Sequence, residues 1–170
     1  MDYYDHMLTA FDCALESPDP STQNGAVVLS RDGIEMGNGC NTFTRGTTMD
    51  LAEVERSVKY MFVEHAERNA IYDAVFWNMA SESGLMDTLV CPWAACAECA
   101  RAIVQTGIRR LVRLSPGTDS LVNTDRWAAS IIAGNQIMEN AGVEVIELDP
   151  ADFTGRVDPI RRNGEMWIPQ

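Results

Sequence analysis

His65-Ala66-Glu67 and Cys96-Ala97-Glu98-Cys99 are two short stretches whose residue types can do chemistry together. One imidazole and two thiolates are ligands of the soft or borderline kind that zinc accepts. Three protein ligands leave a fourth tetrahedral position for water, the arrangement of a catalytic site rather than a closed structural one. Glu67 is not needed as a ligand and is placed to carry protons to and from that water. A lone Cys-x-x-Cys also fits a redox pair, and a lone His-x-Glu is common by chance. The two together, with Cys96 31 positions after His65, carry the metal reading.

Those side chains need two helix starts. Ala66, Ala70, Ile71, Ala74 and Val75 recur at helical spacing from His65 to about Ala80, with Gly84 beyond as a stop. A second helix runs from Cys96 to Thr106 and is closed by Gly107. A thiol at a helix N-terminus has its thiolate stabilised by the backbone dipole, which suits both cysteines to metal binding.

The remaining elements must bring the two starts together. Residues 3–17 predict an opening helix, stopped by Pro18 and Pro20. GAVVLS (25–30) and IEMGNGCN (34–41) read as a β-hairpin about Arg31-Asp32-Gly33, and residues 42–60 as a loop with a short helix. MDTLVC (86–91), IRRLVRL (108–114) and VEVIEL (143–148) read as strands. A helix from Trp127 to Ala141 precedes the last of them, weakened at Gly134. Helices alternating with strands predict one mixed sheet covered on both faces. The chain is expected to be a single domain over 1–170, with a core from about 5 to 148. The tail 149–170, punctuated by Pro150, Pro159 and Pro169, is expected to be extended and to pack across a neighbour.

Composition narrows the ligands. With 46% hydrophobic and 22% charged residues the chain can bury a real core. The net charge of −12 repels long polyanions such as tRNA or single-stranded DNA, yet a few local arginines suffice for a small anion. No apolar run approaches the roughly 20 residues of a membrane span. Five cysteines are an odd number and no secretory start precedes them, so a reducing cytoplasm is expected.

The order His-x-Glu, then Cys-x-x-Cys, resembles the signature of the zinc nucleobase deaminases. More widely the chain resembles the cytidine and deoxycytidylate deaminase superfamily, most closely its deoxycytidylate (dCMP) branch. The likeness rests on SPDPSTQNGAVVLSRDG, GNGCNTFTRG, HAERNAI, CAECARAIVQTGIRRLV and NQIMENAGVEV, which span residues 17 to about 148 and leave the tail aside. It implies a cytidine-deaminase-like three-layer α/β/α sandwich with a five-stranded mixed sheet. It also implies Zn2+ on His65, Cys96 and Cys99, with Glu67 as the proton carrier in converting dCMP to dUMP and ammonia, a source of dUMP for thymidylate synthesis. By the same resemblance Trp93 walls the base pocket and Arg45 takes the nucleotide phosphate. Ser21, Thr22, Asn41 and Ala66 complete the substrate contacts, and the protein is a homo-oligomer, commonly a hexamer in this branch.

The chain departs from the family pattern at several places. Ala95 replaces the proline before the first zinc cysteine. Cys40, Thr42 and Thr44 replace a tyrosine, a glycine and a proline of the loop, which puts nucleotide regulation in doubt. Asn24 replaces a valine beside the base pocket and is expected to touch the substrate. Two other readings stand beside dCMP deamination: a different or 5-substituted cytosine nucleotide as substrate, and a non-catalytic zinc protein. In the latter Cys91, Cys40 or Cys13 would supply a fourth ligand.

Overall fold

The computed structural model of the chain describes residues 1–47, 56–78, 85–115 and 125–170. Helix α1 (Tyr4–Leu15) leads into the hairpin of β1 (Gly25–Ser30) and β2 (Glu35–Cys40). A two-residue strand β3 (Thr42–Phe43), the short helix α2 (Arg56–Lys59) and β4 (Val63–Glu64) follow. Strand β3 pairs antiparallel with β4, so the segment expected as loop and short helix also holds a small ribbon that delivers the chain to His65. Next come α3 (Ala66–Asn78), β5 (Met86–Val90), α4 (Ala97–Gln105), β6 (Arg110–Leu114), α5 (Asp125–Asn140) and β7 (Glu144–Leu148). The expected end of α3 at Ala80 and its stop at Gly84 lie outside the described residues.

The strands form one five-stranded sheet in the order β2-β1-β5-β6-β7. Strand β1 is antiparallel to both of its neighbours, while β5, β6 and β7 are parallel and joined by the crossover helices α4 and α5. Every residue of β1 is buried, as an interior strand covered on both faces requires. Ala26, Val28, Leu89 and Leu111 pack with residues of α3, α4 and α5, whereas Val27, Leu29, Val90 and Val112 pack with α1 on the opposite face. This is the expected three-layer α/β/α sandwich with a mixed sheet.

Two close approaches set the height of the helices that carry the chemistry. A Cβ on Gly37 would lie 2.3 Å from the Ala74 nitrogen, so α3 rests on β2 backbone to backbone. A Cβ on Gly134 would lie 2.7 Å from the Ala95 carbonyl oxygen. Helix α5 runs unbroken through Gly134, because the glycine serves contact with the loop before Cys96 and not a break.

The tail departs from expectation. Pro150–Phe153 forms a 3-10 turn, and β8 (Ile160–Arg162) pairs with β9 (Glu165–Trp167) around Asn163-Gly164, both at positive φ (54° and 88°). This is the Asn-Gly hairpin turn. Phe153 and Ile160 are fully buried with Met7, Phe11 and Val27, so α1 and the tail together make the sheet's second covering layer. Burial of each such side chain stabilises by about 1.5–3 kcal/mol, which draws the tail onto its own sheet. No helix among the described residues is long and apolar enough to cross a membrane.

Candidate active site

The two helix starts do meet. His65 stands immediately before α3, Cys96 is the extended N-cap of α4, and Cys99 lies in that helix's first turn. His65 Nδ1 is 3.6 Å from Cys96 Sγ and 3.5 Å from Cys99 Sγ, and the two sulfurs are 3.5 Å apart. Asn41 Oδ1 accepts the Ala66 N–H at 3.0 Å and so pins the start of α3 from the end of β2. Arg68 pairs with Glu64 and Glu98 and places Nη1 3.9 Å from Cys99 Sγ, where its charge offsets that of a thiolate.

This donor set fits zinc. The hydrogen bond with Cys99, helped by His65, outweighs desolvation and pulls the Cys96 thiol down to about 3. The shared bond with Cys96, together with burial, pushes Cys99 well up. The imidazole nitrogen and both sulfurs lie within 4.8 Å of one another, close enough for one cation to take all three as ligands. Cys91 does not join: its thiol donates to the Trp93 carbonyl at 3.1 Å, and burial raises its pKa. Burial pushes Cys13 up to about 12 and Cys40 up to about 11. Among the described residues the cluster is His65, Cys96 and Cys99, without a fourth sulfur.

Glu67 sits beside the cluster, 3% exposed. Burial raises its pKa, against the lowering effect of His65, so the carboxyl holds a proton more readily than an exposed one and is suited to taking and returning it. Its Oε2 is 3.4 Å from Asn24 Nδ2. The other end of that amide, Asn24 Oδ1, is buried without any hydrogen-bond partner. Leaving an acceptor so costs about 1–3 kcal/mol, and Asn24 lines the same cavity as Glu67.

The residues expected to bind substrate divide in two. Thr22, Asn24, Asn41 and Trp93 line the cavity with His65, Glu67 and Cys96. Asn41 is nonetheless committed to the protein, since its Nδ2 donates to the Thr22 carbonyl at 2.8 Å while its Oδ1 holds Ala66. Trp93 is fixed by its Nε1–H to the Gln23 carbonyl at 3.0 Å. Ser21, Ala66 and Arg45 lie outside the cavity lining. Ser21 is engaged through its backbone, donating to Asp19 and accepting from Gly164, and Ala66 is sealed in the core. Arg45 is drawn to α3, where it pairs with Asp73 at 3.3 Å and stacks 4.4 Å over the Phe76 ring.

Among the lining residues that escaped the sequence reading of the site are Lys59, Trp127 and Arg162. Lys59 is the chain's single lysine, a signal available in the sequence, and it is 2% exposed with Nζ 2.7 and 2.8 Å from the buried Asp19 carboxylate. Trp127, read only as helix core, meets the His65 ring edge-on at 5.6 Å. Arg162 arrives from the tail hairpin.

A His-Cys-Cys donor set at two helix starts, with a buried carboxyl alongside and an α/β/α sandwich behind it, defines a zinc-dependent deaminase. The chain belongs to the cytidine and deoxycytidylate deaminase family, whose zinc-binding region model matches residues 2–115. An uncharacterized deaminase from the luxG 3′ region of Aliivibrio fischeri is 35% identical over 81% of this chain and 86% of its own length. The deoxycytidylate deaminase of Mus musculus is 35% identical over 64% of this chain, which spans only 62% of that relative. Among solved structures, the dCMP deaminase of cyanophage S-TIM5 in complex with dCMP and dUMP superposes with a TM-score of 0.65. It is 25% identical, and the match covers 85% of this chain and 95% of that one.

Proposed function

We propose that this chain hydrolyses dCMP to dUMP and ammonia. The observation that carries the reading is the buried Glu67 carboxyl beside the His65, Cys96 and Cys99 donors. The likeness to deaminases described as acting on deoxycytidylate supports the choice of dCMP. When bound, zinc supplies the Lewis acidity that makes water a nucleophile near neutral pH. Glu67 takes the attacking water's proton and delivers it to N3 of cytosine as the new C4–O bond forms. The same carboxylate then takes the proton of the new C4 hydroxyl and passes it to the 4-amino group, so that the C4=O bond forms, the C4–N bond breaks and ammonia leaves. Trp93 and Trp127 offer the base flat apolar walls. The product dUMP would feed thymidylate synthesis.

Asn24 Oδ1 accepts a hydrogen bond from the bound base in this reading. Asn24→Val should therefore lower kcat/KM about 2- to 10-fold, the worth of one neutral hydrogen bond, while raising the melting temperature by removing a stranded acceptor. Steady-state kinetics beside a thermal melt check both, and unchanged kinetics would remove the contact.

The substrate itself is tested by ammonia release from dCMP, dCTP, deoxycytidine and 5-methyl-dCMP. The expected result is the highest kcat/KM for dCMP. A higher value for the nucleoside or for the 5-substituted nucleotide would replace the proposal with one of those substrates.

A further inference from the structure

A phosphate monoester needs a cation near the cavity, and the chain's net charge of −12 makes local placement decisive. Arg45 does not line it: its guanidinium rests against Asp73 and Phe76 of α3. Lys59 lines it but is held by both oxygens of Asp19. Arg162 lines it from β8, with its guanidinium 4.7 Å over the Trp93 ring and 5.8 Å from the Trp167 ring. Those two indoles meet edge to face at 4.6 Å, and Trp93 is itself fixed to the Gln23 carbonyl. The hairpin is tied to the substrate-side segment by four hydrogen bonds: Gln23 N–H to the Arg161 carbonyl (2.8 Å), Arg161 N–H to Gln23 Oε1 (2.9 Å), Gly164 N–H to the Ser21 carbonyl (2.7 Å) and Asn163 N–H to Thr22 Oγ1 (3.3 Å). A planar cation stacked on aromatic rings at a cavity wall is pre-organised for bidentate recognition of a phosphate.

We infer that Arg162 of the C-terminal hairpin binds the 5′-phosphate of the nucleotide substrate. The hairpin lies beyond residues 2–115 matched by the family model, so an appended element selects nucleotide over nucleoside for a site the domain builds. The inference rests on a nucleoside monophosphate being the substrate. Its test is the ratio of kcat/KM for dCMP to that for deoxycytidine, measured in wild type, Arg162→Met and Arg162→Lys. Methionine keeps an apolar stem against the indoles and removes the charge, and lysine restores a charge without the fork. The expected result is a wild-type preference for dCMP that falls about 10- to 100-fold in Arg162→Met, mostly through KM, and recovers in part in Arg162→Lys. A wild-type enzyme with no preference for dCMP would overturn the substrate reading. A wild-type preference that survives Arg162→Met overturns the phosphate role of Arg162, as does an equal loss on both substrates. If Arg162→Met fails to fold by thermal melt, Arg162→Gln takes its place in the same ratio.

Discussion

Glu67→Gln should leave a folded, zinc-loaded protein whose turnover falls about 10²- to 10⁴-fold, the range that a positioned proton carrier contributes. The substitution keeps the side chain's size and one amide oxygen, and removes only the ability to take and return a proton. Glu67 is outside the donor cluster, so zinc per chain should match wild type. Stability should hold or rise, because burial already disfavours the charged carboxyl and a neutral amide escapes that penalty. Binding before the chemical step depends on the cavity walls, so KM should move little while kcat collapses. Metal analysis, a thermal melt and single-turnover kinetics check the three parts. Turnover within tenfold of wild type would take the proton-carrier role from Glu67, and loss of zinc would make it a ligand.

The chemistry was legible in the sequence because it is local. His65-Ala66-Glu67 and Cys96-x-x-Cys99 sit at the first turns of helices whose apolar spacing is readable, and their types alone fix what they can hold. The sandwich was legible for a similar reason, since fully apolar strands alternate with amphipathic helices. What could not be read is the cavity's far wall, assembled from residues distant in sequence. Asp19 is joined to Lys59 across 40 positions, His65 meets Trp127, and Arg162 reaches Trp93 from the tail. Arg45 differs in another way: the loop motif points it to the substrate, while in the structure it rests on a carboxylate and a ring of α3. The tail held a usable signal in Asn163-Gly164, but its prolines suggested an extended chain. The burial of Phe153 and Ile160 that folds it back is a tertiary fact.

Cys99→Ser should abolish metal retention and, with it, both turnover and part of the stability. A serine hydroxyl does not ionise near neutral pH and is a poor zinc ligand, so a three-donor site becomes a two-donor one. Ligation stabilises the folded state by mass action, by about 4 kcal/mol when free metal is 1,000 times its dissociation constant, or about 8–16 °C in melting temperature for a domain of this size. Zinc should therefore raise the melting temperature of wild type and leave that of Cys99→Ser nearly still. Cys91→Ala is the informative partner. Its thiol is bound to the Trp93 carbonyl, so that variant should keep full zinc and lose only the stability of one small buried side chain. If Cys91→Ala instead lost zinc as completely as Cys99→Ser, the metal would be closed by a third sulfur and the site would be structural. If Cys99→Ser kept a full complement, Cys99 would not be a ligand. Zinc counted per chain in the two variants thus separates an open site fit for catalysis from a closed one.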